Sequence, residues 1–139
     1  MSKSERAAWI DANIVLRFLL RDNENYFSTV SEVFKKAEDG ELTLMIHTLT
    51  FAEIVWTLES YYGYSKDEIS RTLEELVEAE GIEVQDKEIV KDALLSYREK
   101  NVDFVDAYLA SVASSTGPST IFTLDRKHFS RLEGDIEIL

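Results

Sequence analysis

The sequence predicts an α/β fold, a three-layer α/β/α sandwich around a small, mostly parallel central sheet. Three observations carry this reading. Short apolar or β-branched runs alternate with longer segments whose apolar residues recur at helical spacing, as in βαβ units. The strand candidates are brief and apolar throughout, as parallel strands buried on two sides should be. The helical segments outweigh the strands, and several follow one another closely enough to pair as hairpins. At 139 residues, 45% hydrophobic and 30% charged, the chain is expected to form a single domain over 1–139 with a real core.

The elements follow in order. Ala8 to Asp11 reads as a short strand, and Ile14 to Leu20 as a helix ending near Asp22-Asn23. Tyr26 to Glu38 repeats Val30, Val33, Phe34 and Ala37 at helical spacing and stops at Asp39-Gly40. Leu42 to Ile46 is a strand. Thr50-x-x-Glu53 matches a capping box, with a helix running to about Tyr62. Ser65-x-x-Glu68 is a second one, followed by the stripe Ile69, Leu73, Leu76, Val77. Ile82 to Val84 is a short strand, and Lys87 to Lys100 a helix. Asp103 is placed to cap a helix over Phe104 to Ser115, ended by Gly117-Pro118. Thr120 to Leu124 is a β-branched, apolar strand. Asp125 is placed to cap a short turn, and Ile136 to Leu139 is a last strand.

Several function classes fall away. The longest uncharged-looking run, Ile14 to Leu20, is interrupted by Arg17, far short of the roughly 18 apolar residues a membrane helix needs. The leading segment Met1 to Arg6 is not expected to act as a signal peptide. With no cysteine there is no disulfide framework, thiolate site or thiol nucleophile. A cytoplasmic location is expected by default. No glycine pattern cradles a phosphate. The net charge of −12 opposes passive nucleic-acid binding but suits a basic partner segment. It leaves room for an enzyme whose bound cations reverse the local field.

Four acids stand at the edges of apolar segments: Asp11, Glu53, Asp106 and Asp125. Such positions lie on the rim of an open α/β sheet, where these folds place their ligands. If they converge, the site is all-oxygen and suits a hard divalent cation such as Mg²⁺ or Mn²⁺. Asn13 follows Asp11 by two positions. Asp103 and Asp106 share a helix face, and Thr123 shares a strand face with Asp125.

The stretches Ile-Asp-Ala-Asn-Ile-Val-Leu-Arg-Phe-Leu (10–19), Thr-Phe-Ala-Glu-Ile-Val-Trp (50–56), Asp-Phe-Val-Asp-Ala-Tyr-Leu-Ala (103–110) and Thr-Leu-Asp-Arg-Lys-His-Phe (123–129) resemble, in this order, the PIN domain family. Within it they are similar to the VapC-type toxins of toxin–antitoxin pairs. The resemblance covers essentially the whole chain. It implies a Rossmann-like fold, a homodimer, and RNA cleavage with Mg²⁺ or Mn²⁺ that leaves 5′-phosphate and 3′-hydroxyl ends. An antitoxin protein is the implied partner. The family's acid positions map onto Asp11, Glu53, Asp106 and Asp125, and its accessory positions onto Asn13, Thr123 and Asp103. On this reading Asp11 and Asp106 bind metal directly, and Glu53 and Asp125 directly or through water. Two ions about 3.5–4 Å apart can activate a water and stabilise the leaving oxygen. No histidine base is then needed, and His47 and His128 are not expected among the acids.

Local readings compete. Glu53 can serve the Thr50 cap, and Asp11, Asp103 and Asp125 can be plain N-caps. Asp106 can partner Asp103 or the helix macrodipole. The joint order of the four acids favours the site. Arg126, Lys127 and His128, beside Asp125, are candidates for holding an RNA backbone or are simply a solvated helix surface. Trp56, Tyr61, Tyr62 and Tyr64 read first as packing residues and second as a dimer surface. Two further functions stand against a ribonuclease: a PIN-like scaffold that binds a protein partner, and another acid-cluster domain. A phosphoacceptor receiver lacks its paired acids and late lysine here, and a haloacid-dehalogenase-like phosphatase lacks Asp-x-Asp, since Asp11 is followed by Ala12-Asn13.

Overall fold

The structure is a computed structural model that describes residues 6–139. The start of the leading segment, residues 1–5, lies outside the described residues. The elements run β1 (Ala7–Trp9), α1 (Ala12–Leu20), α2 (Glu24–Glu38), β2 (Thr43–Ile46), α3 (Thr48–Ser60), α4 (Lys66–Glu78), β3 (Ile82–Val84), α5 (Lys87–Glu99), α6 (Phe104–Thr116), β4 (Thr120–Thr123), α7 (Arg126–Phe129) and β5 (Asp135–Ile138).

Among the described residues every strand pairing is parallel, as short apolar strands joined through helices require. β1, β2 and β3 lie side by side, with Ala8 opposite Leu44 and Leu44 opposite Ile82. Among the described residues β4 and β5 form a separate pair, Ile121 opposite Ile136. The core gathers on β2 and the helices around it. Leu44, Ile46, Phe51, Ile54, Leu58, Ile69, Leu73, Val90, Leu94 and Tyr97 are all buried. α1 packs on α2 and α3, α3 on α6, and α4 and α6 on α5.

Helix starts follow their caps. Ser65 and Glu68 form both bonds of the expected capping box, each 3.1 Å. Asn23 caps α2 and Asp103 caps α6. The expected Thr50–Glu53 box does not form. α3 begins two residues earlier, at Thr48, and the N-cap is His47, whose Nδ1 accepts from the Leu49 amide at 3.1 Å. The cause is tertiary. β2 ends at Ile46, and Gln85, just past β3, accepts from the Thr48 amide (3.0 Å) and hydroxyl (2.9 Å). That bond fixes the turn before Thr50 is reached, so Glu53 sits exposed in the second turn with no capping duty.

A buried polar group ties three helices. The Tyr97 hydroxyl donates to Glu59, and Lys66 reaches Glu59 (3.3 Å) and the Val102 carbonyl (3.0 Å) while lying over the Tyr97 ring. Burial and the Glu59 carboxylate raise the Tyr97 pKa, so its hydroxyl stays a donor.

Gly81 enters β3 at φ +77°, and its carbonyl accepts from the Leu44 amide at 2.7 Å. A Cβ there would lie 2.3 Å from the Ala37 carbonyl oxygen at the end of α2. Gly81→Ala therefore meets both a left-handed backbone and a rigid carbonyl. It is expected to cost about 3 kcal/mol, from strain and overpacking together. Urea unfolding checks it, and a loss below about 1 kcal/mol would show that α2 yields.

Candidate active site

Parallel strands deliver their C-terminal ends to one rim, and helix N-termini begin there. Asp11 lies two residues past the end of β1 and caps α1, its Oδ1 accepting from the Ile14 amide at 3.1 Å. It opens onto a cleft of about 450 Å³ lined by Trp9, Ile10, Asp11, Ile14, His47 and Thr50. Asp86, just past β3, holds a left-handed backbone (φ 53°) and accepts from the Tyr108 hydroxyl of α6 at 3.2 Å. The N-terminal half of α6 is thus fastened to the same rim. Phe104 and Phe51, their rings 5.8 Å apart, pack the starts of α6 and α3 together.

Asp103 caps α6 by accepting from the Val105 amide at 3.2 Å. Asp106 follows at the third helical position, half-buried. α6 leads through the Gly117-Pro118 turn into β4, so the end of β4 returns beside the start of α6. There Asp125 caps α7, its Oδ1 accepting from the His128 amide at 3.0 Å. Its own amide donates to the Thr123 hydroxyl at 2.9 Å. The other carboxylate oxygen of Asp125 and one of Asp106 both face the same ring nitrogen. His128 Nδ1 lies 3.3 Å from Asp106 Oδ2 and 3.5 Å from Asp125 Oδ2.

The electrostatics of this group are unfavourable without a cation. Burial pushes the Asp106 carboxyl above the usual carboxylate range. Its hydrogen bond with His128 opposes that shift, and the charges of Asp103 and Asp125 add to it.

The structure therefore brings Asp106 and Asp125 together, with Asp103 near enough for its charge to be felt. One ligand atom from each of Asp106, Asp125 and His128 lies within 4.8 Å of the other two. That spacing and donor set fit a divalent cation. Asp11, the N-cap of α1, and Glu53, in the second turn of α3, lie outside this group, and α1 and α3 pack on each other. Asn13 accepts from Arg17 Nε at 3.3 Å, and Arg17 is committed to Asp22 at 2.7 Å. Arg126 and Lys127 are exposed on α7.

The placement of His128 corrects the sequence reading, which kept both histidines apart from the acids. Its spacing of three from Asp125 on a helix was the available signal; its approach to Asp106 depends on how β4 returns along α6. Asp86 was missed as well, because neither its left-handed backbone nor its bond to Tyr108 has a local signature. A cavity of about 960 Å³ lies elsewhere, against Phe18, Phe27, Phe34, Leu76 and Ile82, and none of the candidate acids lines it.

A parallel α/β domain whose carboxylates meet at helix starts beside a strand end has the donor set of an acidic nuclease-like domain. The chain belongs to the PIN domain family, whose model matches residues 8–135. It is also similar to the VapC ribonuclease of Aquifex aeolicus (strain VF5), with 21% identity over 118 residues, covering 85% of this chain and 87% of that protein. Among the described residues, no helix is long and apolar enough to cross a membrane.

Proposed function

We propose that the protein is a divalent-metal-dependent endoribonuclease, the toxin of a toxin–antitoxin pair. One observation carries the reading. Asp106 and Asp125, held 19 residues apart in sequence by an intervening helix and strand, present oxygens to one point beside His128. This happens in a PIN domain similar to a VapC ribonuclease. We read Asp106 and Asp125 as ligands of Mg²⁺ or Mn²⁺. Asp11 and Glu53 are read as further carboxylates that reach the ion or its waters from α1 and α3.

When bound, such an ion supplies activation of water and stabilisation of the leaving oxygen. The chain's own residues do the rest. Asp103 and Asp125 anchor the helix starts that aim the carboxylates, and Thr123 fixes the Asp125 turn. The exposed cations Arg126 and Lys127 flank the site on α7 and are read as contacts to the RNA backbone, sequence-independent in character. Exposed Leu49 and Trp56 lie seven positions apart on α3, on one side of the helix, and support a homodimer surface. The net charge of −12 suits an antitoxin segment carrying basic residues toward the acids.

Purified protein is expected to cleave a single-stranded RNA in Mn²⁺, leaving 5′-phosphate and 3′-hydroxyl ends. Excess EDTA should stop cleavage, and added Mn²⁺ should restore it. Cleavage that continues undiminished in EDTA would overturn the metal assignment.

A further inference from the structure

Trp9 closes β1 with 63% of its surface exposed. Ile10, the next residue, is buried, and Asp11 keeps an extended backbone (φ −91°, ψ 175°). Side chains two apart on an extended chain share a face, so Trp9 and Asp11 stand on the same side of the rim. β2 delivers their neighbour. Trp9 lies opposite Met45, and the Ile10 amide donates to the Met45 carbonyl at 3.0 Å. That carries the parallel register on to His47 beside Asp11. The His47 ring is 6.0 Å from the indole and tilted to it by 54°, which leaves most of the indole uncovered. The Leu49 amide, bonded to His47 Nδ1 at 3.1 Å, holds that ring in place.

Single exposed apolar side chains are common and need no explanation. Trp9 differs in its surroundings, because it lines the cleft of about 450 Å³ that Ile10, Ile14 and Asp11 also line. Small-molecule sites run from about 300 to 1,000 Å³. An uncovered indole beside a carboxylate matches a ligand with a flat ring and, a few bonds away, an anion that a cation can link to that carboxylate. A nucleotide of an unpaired strand has both. An apolar protein side chain would match the indole but not the Asp11 next to it.

We infer that Trp9 is a stacking platform for one unpaired nucleobase of an RNA strand, with this cleft as its subsite beside the acidic rim. The inference rests on the ribonuclease reading and deepens it, naming a substrate-binding residue and requiring the base there to be unpaired. Every base has a π-face, so the platform is tolerant of sequence. Bases already stacked in a duplex cannot use it.

Trp9 and Trp56 are the chain's two tryptophans, so Trp56→Phe leaves Trp9 as the single indole reporter. In Mg²⁺, rapid mixing of that protein with a short single-stranded RNA should quench Trp9 emission before cleavage proceeds. An abasic oligomer of the same length and a perfect RNA duplex should not. Cleavage in Mn²⁺ is measured alongside with Trp56 intact. Trp9→Ala should raise KM about tenfold or more, with kcat changed less. Trp9→Phe should restore most of the loss, and Trp9→Leu, apolar but without a π-face, should not.

RNA bound or cleaved without quenching, equal quenching by either control, or a leucine variant as good as the phenylalanine one would overturn the platform and leave the ribonuclease reading standing. Emission that follows protein concentration and not RNA would assign Trp9 to contact with a second copy, and would overturn it in the same way. Base-dependent quenching with no cleavage in any divalent metal would keep the platform and remove the nuclease. Protein that neither binds nor cleaves RNA would overturn both. The quenching result needs no Trp9 variant, so it decides even where one fails to fold.

Discussion

Asp106→Asn is expected to lower RNA cleavage about a thousandfold while leaving the protein as stable as before or more so. The two effects share one cause. Asp106 is half-buried, facing His128 and close to Asp103 and Asp125. Its carboxylate is the group through which the ion would be held, and stabilising charge at the transition state by such an ion is worth several kcal/mol. At 1.36 kcal/mol per factor of ten, that is about three decades of rate.

The stability side follows from linkage. The folded protein raises the Asp106 pKa above its unfolded value. The unfolded chain therefore releases that proton first as pH rises, and the folded state is penalised progressively until pH passes the raised value. Below the unfolded value both states are protonated and the penalty is absent. A neutral Asn carries no such penalty at neutral pH. Metal-free Asp106→Asn should melt at the same temperature as wild type or higher, measured by circular dichroism, with cleavage measured alongside in Mn²⁺. A variant that cleaves as fast as wild type would remove Asp106 from the site.

Phe104→Ala is expected to cost about 3–5 kcal/mol, a large share of the roughly 5–15 kcal/mol that keeps a domain folded. Phe104 opens α6 and is buried, with its ring 5.8 Å from Phe51, 6.2 Å from Tyr97 and 6.3 Å from Tyr108. Those three come from α3, α5 and α6, so no single neighbour can collapse into the space an alanine would leave. The ring is also the wedge between Asp103 and Asp106 that sets the start of α6 against α3. Phe104→Leu keeps most of the volume and should lose much less. Urea midpoints for the two variants check the order. A cost below about 1 kcal/mol for alanine would mean that α6 is seated by something other than this aromatic cluster.

The alternating architecture was legible because local and tertiary preferences agree in this chain. Ser65-x-x-Glu68 and Asp103 cap the helices they precede, and the apolar stripes that follow face the core. Where a distant partner decided the outcome, local pattern failed. Thr50-x-x-Glu53 has the same signature as Ser65-x-x-Glu68, yet Gln85, 37 residues from Thr48, starts the helix earlier. The division of the strands into two parallel sets likewise depends on strand register, which short apolar runs do not encode.

The site divides along the same line. The acids could be found because each stands at the edge of an apolar segment. That two of them meet at one imidazole could not, because it needs β4 to return along α6. The earlier start of α3 leaves Glu53 exposed and free of a capping role, so its expected cap is the part of the site reading that local pattern got wrong.

The most direct measurement is anomalous diffraction from crystals soaked in Mn²⁺. A peak is expected about 2.2 Å from carboxylate oxygens of both Asp106 and Asp125. Saturating Mn²⁺ with no peak between those two side chains, or a peak only at some other acid, would contradict the metal centre on which the ribonuclease assignment stands.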